Sequence, residues 1–149
     1  MQTRILFMLF AFVIGAFLPI QAALNGKMSK AFNGPVVAGF ISFFVGTVAL
    51  IIFLASTKKL SFSSESFSQT TWWMWLPGIL GAIYIVGIIV LLPKLGVALS
   101  FGLVVAGQLI VALIMDHYGL LGMVVKQISI GRIVGVILLV AGVYLIRKY

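Results

Sequence analysis

Five long apolar runs dominate this sequence of 149 residues and limit what it can fold into. A bilayer core about 30 Å thick needs roughly 20 apolar residues in a helix, and only helices and closed barrels satisfy their own backbone in lipid. The runs therefore predict an all-α integral membrane protein with five transmembrane helices. The predicted spans are residues 5–24, 35–55, 72–92, 97–115 and 128–146 of a single domain, 1–149.

The composition fits a chain that is solvated largely by lipid. Charged residues make up 8% of the chain, whereas a soluble domain has about a quarter. The net charge of +8 comes from basic residues scattered at the ends of the apolar runs, which is typical of membrane-interface anchors and not of a nucleic-acid-binding stripe. The sequence has no cysteine, which excludes disulfides and thiolate metal sites.

The first run also has some features of a cleaved signal peptide, with Arg4 before an apolar stretch and PIQA as a cleavage site. Ile20, however, stands where cleavage prefers a small residue, and four more apolar runs follow. We therefore expect the first run to remain as a transmembrane helix.

The basic residues divide equally between the two sides of a five-span protein. The side of the N-terminus carries five, and the side of the C-terminus also carries five. The first set is Arg4, Lys58, Lys59, Lys126 and Arg132; the second is Lys27, Lys30, Lys94, Arg147 and Lys148. Because orientation follows the imbalance between these counts, a balanced chain predicts insertion in both orientations and an antiparallel homodimer. Alternatively, the charges near the first span outweigh the rest, or a partner protein fixes one orientation.

Small residues at helical spacing predict where helices pack, because they let backbones approach closely in lipid. Three of them recur at every fourth residue of span four, and three more lie in span five. These candidates for dimer or helix packing are Ala98, Gly102, Ala106, Gly131, Gly135 and Gly142. Spacing alone leaves open whether they pack within one protomer or between two.

The last span resembles a known helix pattern. RIVGVILLVAGV matches the closing-helix pattern R-x-x-G-x-x-L-I-x-x-G-V of the drug/metabolite transporter superfamily, with Leu139 where isoleucine is usual. Upstream, PIQAALNGKMSK, FISFFVGTVAL and LIMDHYGLLG stand in matching order and spacing. Together these segments resemble the YdcZ-like family of five-span exporters over nearly the whole chain. The resemblance implies a multi-pass protein of the bacterial inner membrane, related to the small multidrug resistance transporters and equivalent to half of a ten-helix inverted repeat.

Polar side chains inside the apolar runs are the candidate substrate pathway. Gln108 lies midway along span four, where its amide must face a water-filled cavity or make an interhelical hydrogen bond. Gln21 and Asn25 share a helix face by their spacing of four, although Asn25-Gly26 also fits a helix cap. Tyr84 either offers its phenol to the same cavity or packs in the core.

Asp116 and His117 form a titratable pair at the end of span four. The helix dipole disfavours an acid at a helix C-terminus, so Asp116 should have a cationic partner, for which Lys58, Lys59 and Arg4 are candidates. The pair then serves either proton coupling or a salt bridge. It is too small a set for a metal or a catalytic triad, so we expect no enzymatic activity and no cofactor.

These features predict a transporter or exporter of a small metabolite or drug-like solute, which works by alternating access as a dual-topology homodimer. Its partners would be the bilayer, the solute and a second copy of the chain. Small multidrug exporters carry a glutamate in span one, whereas this span one has no acid. We therefore expect a neutral, zwitterionic or anionic substrate. The alternatives are a non-transporting helical subunit that stabilises or regulates a larger complex, and uncoupled diffusion of a lipid or small solute.

Overall fold

The computed structural model describes residues 2–57 and 67–149, which contain five helices long and apolar enough to cross a membrane. These helices are α1 (Gln2–Ala31), α2 (Pro35–Ser56), α3 (Leu76–Leu95), α4 (Val97–Tyr118) and α5 (Ile130–Lys148). The described ranges contain no strand, so the predicted all-α membrane fold is confirmed. Two of the basic residues counted above, Lys58 and Lys59, lie outside the described residues.

The first helix is longer than its apolar run. At 30 residues, α1 is about 45 Å long, against a hydrocarbon core of about 30 Å. It continues through Pro19 and past Asn25 and Gly26, so the alternative interpretation of that dipeptide as a helix cap is wrong. The chain reverses later, at Asn33 (φ 54°), because asparagine tolerates the left-handed conformation better than most residues.

The other helix boundaries follow local chemistry. Pro35 occupies the start of α2, where a residue without an N–H is tolerated. A single 3-10 turn, Trp72–Trp75, leads into α3. Gly96, with φ +77°, stands between α3 and α4, and another 3-10 turn, Leu120–Gly122, lies between α4 and α5.

The chain divides into two compact units, one ending at Lys94 and the other being Leu95–Tyr149. In the first unit, α2 and α3 meet through glycines on both helices. A Cβ on Gly39 would lie 3.2 Å from Ile85 Cγ2, and one on Gly81 would lie 3.2 Å from the Phe43 ring. Ala38, Ile85 and Ile89 form the small buried core beside this contact.

In the second unit, α4 and α5 also pack through a glycine. A Cβ on Gly102 would lie 3.0 Å from Val143 Cγ2, so this member of the predicted ridge contacts a helix of its own chain. Ala106 is buried on the same helix, whereas Ala98 is exposed. Most large apolar side chains of both units are exposed, as expected where lipid covers the outside of a helical protein.

Candidate functional site

A cleft of about 390 Å³ opens between α1, α2 and α3 in the first unit. Four hydrogen-bonding side chains line it: Gln21 from α1, Ser42 and Thr47 from α2, and Tyr84 from α3. The remaining lining is apolar or glycine, namely Leu18, Phe43, Gly46, Leu50, Gly81 and Ile85. The structure therefore brings two of the predicted pathway residues, Gln21 and Tyr84, to one cavity.

The polar lining lies deep in its helices. Gln21 is ten residues before the end of α1 at Ala31, which is about 15 Å of helix rise. Thr47 is twelve residues after the start of α2 at Pro35, or about 18 Å. Thr47 therefore lies at about half the depth of a 30 Å hydrocarbon core. Gln21 lies nearer the membrane surface, because the apolar run of α1 ends at Leu24 and the polar residues that follow extend beyond the lipid.

A second cleft of about 390 Å³ adjoins the first and shares Gln21 and Ser42 with it. Asn25 also lines this second cleft, and only 3% of the residue is exposed. Its Nδ2 atom is buried and has no hydrogen-bond partner among the described residues, and the same is true of Tyr84 Oη. A buried polar group left without a partner costs about 1–3 kcal/mol, so both groups would gain free energy by finding one. Because both atoms are buried, a molecule from outside the chain reaches them only if the side chains turn.

The predicted pair Asp116 and His117 lies in the last turn of α4, lines neither cleft, and contacts the connection between α4 and α5. Arg132 Nη2 donates to Asp116 Oδ2 at 2.9 Å, so the acid has the cationic partner that the helix dipole requires. This partner is not one of the three candidates named from the sequence. The same guanidinium donates through Nη1 to the carbonyl of Lys126 at 3.1 Å. The Lys126 N–H in turn donates to the main-chain oxygen of Asp116 at 2.8 Å.

His117 closes the other side of this connection. Its Nδ1 accepts the N–H of Ile128 at 3.3 Å, which requires that nitrogen to carry a lone pair. Ser129 then caps α5 by accepting the Arg132 N–H. Upstream, Gly119 ends α4 at φ +61°, where a Cβ would lie 2.7 Å from Val125 Cγ2. We call residues 116–132 the α4–α5 clasp.

Comparison with known proteins identifies the family. A sequence model of the family described as "Putative inner membrane exporter, YdcZ" matches residues 6–145. The chain belongs to the YdcZ family. One curated relative, "Inner membrane protein YdcZ" of Escherichia coli (strain K12), is 27% identical over 139 residues, which is 93% of this chain and 93% of the relative. No solved structure matches.

Membership of the YdcZ family confirms the resemblance read from the sequence and a multi-pass location in the inner membrane. The family description names an exporter, which is a class of transporter and not of enzyme. It names no substrate.

Gln108, the fourth predicted pathway residue of this YdcZ-family chain, lies on α4 in the second unit and is exposed. It therefore does not line either cleft of the first unit. The candidate packing residues of α5 are similarly open. A Cβ on Gly131, Gly135 or Gly142 would meet no atom within 4 Å, so that helix presents glycines that the described part of the chain leaves uncovered.

Sequence reasoning missed two residues of the cleft in this YdcZ-family chain, Ser42 and Thr47. They are the only hydroxyl-bearing residues of the predicted span 35–55, which is the signal that would have identified them. In a helix, however, a serine or threonine commonly bonds its own backbone, so a hydroxyl indicates a cavity less strongly than an amide does.

Proposed function

We propose that this YdcZ-family protein exports a small metabolite or drug-like solute by alternating access, as an antiparallel homodimer. The observation that carries the proposal is the cleft of the first unit, where Gln21 and Tyr84 stand among apolar walls. Small-molecule sites have this composition, a mostly apolar cavity with a few placed polar groups. A non-transporting subunit could use such side chains for hydrogen bonds between helices, but it would not need a cleft around them.

The exposure of Gln108 supports the proposal that another protein surface covers α4. Its amide is exposed midway along a transmembrane helix, where contact with acyl chains would cost about 4 kcal/mol or more. A second copy with a wet chamber between the two chains removes that cost. The equal division of the ten basic residues between the two sides supports an antiparallel arrangement of those copies.

Such a dimer gives alternating access a simple physical basis. In an antiparallel pair, the two identical chains present the same surfaces to opposite sides of the membrane. If one chain holds an open conformation and its partner a closed one, exchange of the two conformations moves the opening from one side to the other. The two states then have equal energy by symmetry, so neither direction is favoured by the protein itself.

Reporters fused to the C-terminus test the orientation. We expect a reporter active only in the cytoplasm and one active only in the periplasm both to give signal. The control is Lys27→Gln with Lys30→Gln, which leaves three basic residues on the C-terminal side against five on the other. This variant should place its C-terminus in the periplasm. A single-sided signal from the unaltered chain would refute the antiparallel dimer.

Reconstituted vesicles test transport. They are screened with labelled neutral, zwitterionic and anionic metabolites, and the solute with the highest uptake is then measured for Gln108→Leu. We expect this variant to lose uptake while the dimer persists in cross-linking. The control Gln127→Leu, which makes the same change outside the helices, should retain uptake. Uptake of no solute by the unaltered protein would favour the non-transporting subunit, and unchanged uptake by Gln108→Leu would exclude that residue from the pathway.

A further inference from the structure

We infer that the cleft of the first unit selects neutral solutes, with an apolar body and an amide- or hydroxyl-like head, and rejects both ions and zwitterions. This inference rests on the proposed function and narrows its substrate class. Two observations carry it: the chemistry of the lining and the orphaned phenol of Tyr84.

The lining offers hydrogen bonds without charge. Gln21 provides an amide that both donates and accepts, and Ser42, Thr47 and Tyr84 provide hydroxyls that can do either. No charged side chain of the described residues lines this cleft or the adjoining one. A solute with a polar head would therefore find complementary partners, whereas an ion would find no counter-charge.

A second copy of the chain would not change this balance at mid-membrane depth, because the middle of every helix lacks charged residues. The uncharged stretches are 5–26, 31–57, 66–93, 95–115 and 133–146. Whichever of these segments faces the chamber, it contributes neutral groups only. An ion that leaves the water of the chamber for this neutral lining gains no counter-charge, so we expect its binding to be disfavoured by at least tenfold; a zwitterion carries two such charges.

Tyr84 identifies where the head of the solute binds. Other atoms of its side chain line the cleft, whereas its hydroxyl is buried and lacks a hydrogen-bond partner among the described residues, so a change of rotamer would bring an unsatisfied hydroxyl to the solute. Phe43, from α2, also lines the cleft, so an aromatic or aliphatic body can pack against it while the head bonds Gln21 and the phenol. The adjoining cleft repeats this chemistry with the orphaned amide of Asn25.

Three probes of nearly equal shape test the inference: benzamide, benzoate and benzamidinium. Binding is measured by equilibrium dialysis against the full-length protein purified in detergent. We expect benzamide to bind with a Kd at least tenfold below that of either ion. Tyr84→Phe should raise the benzamide Kd about fivefold through loss of one hydrogen bond. The matched control Tyr149→Phe, at the exposed C-terminus, should leave it unchanged.

A variant that reverses the preference among the three probes must still be folded, so it controls for loss of binding through misfolding. Gln21→Glu places a carboxylate in the cleft and should make benzamidinium the tightest of the three probes. The inference is overturned if the unaltered protein binds all three equally, binds none, or prefers an ion. It is also overturned if selectivity for benzamide is insensitive to Tyr84→Phe.

The same probes separate this inference from the proposed function. If the protein bound benzamide selectively but vesicles took up no metabolite, transport would be refuted, while the inference that the cleft selects neutral solutes would still stand. Uptake of a metabolite that benzoate and benzamidinium inhibit as well as benzamide does would leave transport and refute the neutral cleft.

Discussion

Replacement of Gly102 by alanine should weaken the packing of α4 against α5. The new Cβ would lie 3.0 Å from Cγ2 and 3.4 Å from Cγ1 of Val143, on the facing helix of the same unit. Carbon atoms in good contact are about 3.5–4.0 Å apart, so the valine must retreat by about half an ångström. Overpacking of this kind costs about 1–3 kcal/mol, and the gain from placing alanine instead of glycine in a helix is about 0.5–1 kcal/mol. We expect a net loss of about 1 kcal/mol in the free energy of unfolding.

Gly107→Ala is the matched control for this prediction. It lies on the same helix, and its Cβ would meet no atom within 4 Å, so it should retain the helix-forming gain without a clash. Unfolding of both variants is measured in mixed micelles of a mild detergent and increasing dodecyl sulfate, followed by circular dichroism. Val143→Ala introduced into Gly102→Ala should relieve the overlap and restore about 1 kcal/mol as a coupling energy.

Three results would refute this reasoning. Equal stability of Gly102→Ala and Gly107→Ala would mean that the helices do not approach as closely as the structure has them. Absence of coupling to Val143 would mean that the clash lies elsewhere. If Gly102→Ala left the unfolding of the protomer unchanged but weakened the proposed dimer, this surface would belong to an interface between two chains and not within one.

Two further predictions concern the α4–α5 clasp. Gly119→Ala and Gly122→Ala both place alanine at a positive φ, which costs about 1–2 kcal/mol, but only the first meets a side chain, at 2.7 Å. Gly119→Ala should therefore be less stable by a further ~1–3 kcal/mol in the same unfolding assay, and equal losses would contradict the observed contact. Asp116→Asn should lose only about 0.5–1 kcal/mol, because a third of each partner in its ion pair is exposed. That loss should shrink in 1 M salt and disappear in an Arg132→Gln background; a salt-independent loss would mean that the charge itself is unimportant.

The sequence predicts the five helices because lipid leaves the backbone few choices. A run of about 20 apolar residues has to be helical in hydrocarbon, and Pro35 and Gly96 mark boundaries through their own backbone restrictions. The end of α1 is harder to predict. Polarity marks where a helix leaves the lipid and not where it stops, so α1 continues through the polar residues that follow Leu24 and reaches Ala31.

The candidate site is only partly readable for a similar reason. Gln21, Asn25 and Tyr84 are identifiable because polar groups are costly in lipid, whereas Ser42 carries a weaker signal since hydroxyls can bond the helix itself. The pairing of Asp116 with a residue sixteen positions later depends on the path of the intervening chain. Neither residue spacing nor charge count specifies that path, so the partner of Asp116 could not be read from the sequence.

The α4–α5 clasp also has a kinetic consequence. The amide hydrogens of Lys126 and Ile128 are both donated across it, to Asp116 and His117. Their exchange with solvent deuterium therefore requires a shared opening of the connection, and both should exchange at similar rates. If the proposed transport moves α4, these bonds would make α5 move with it.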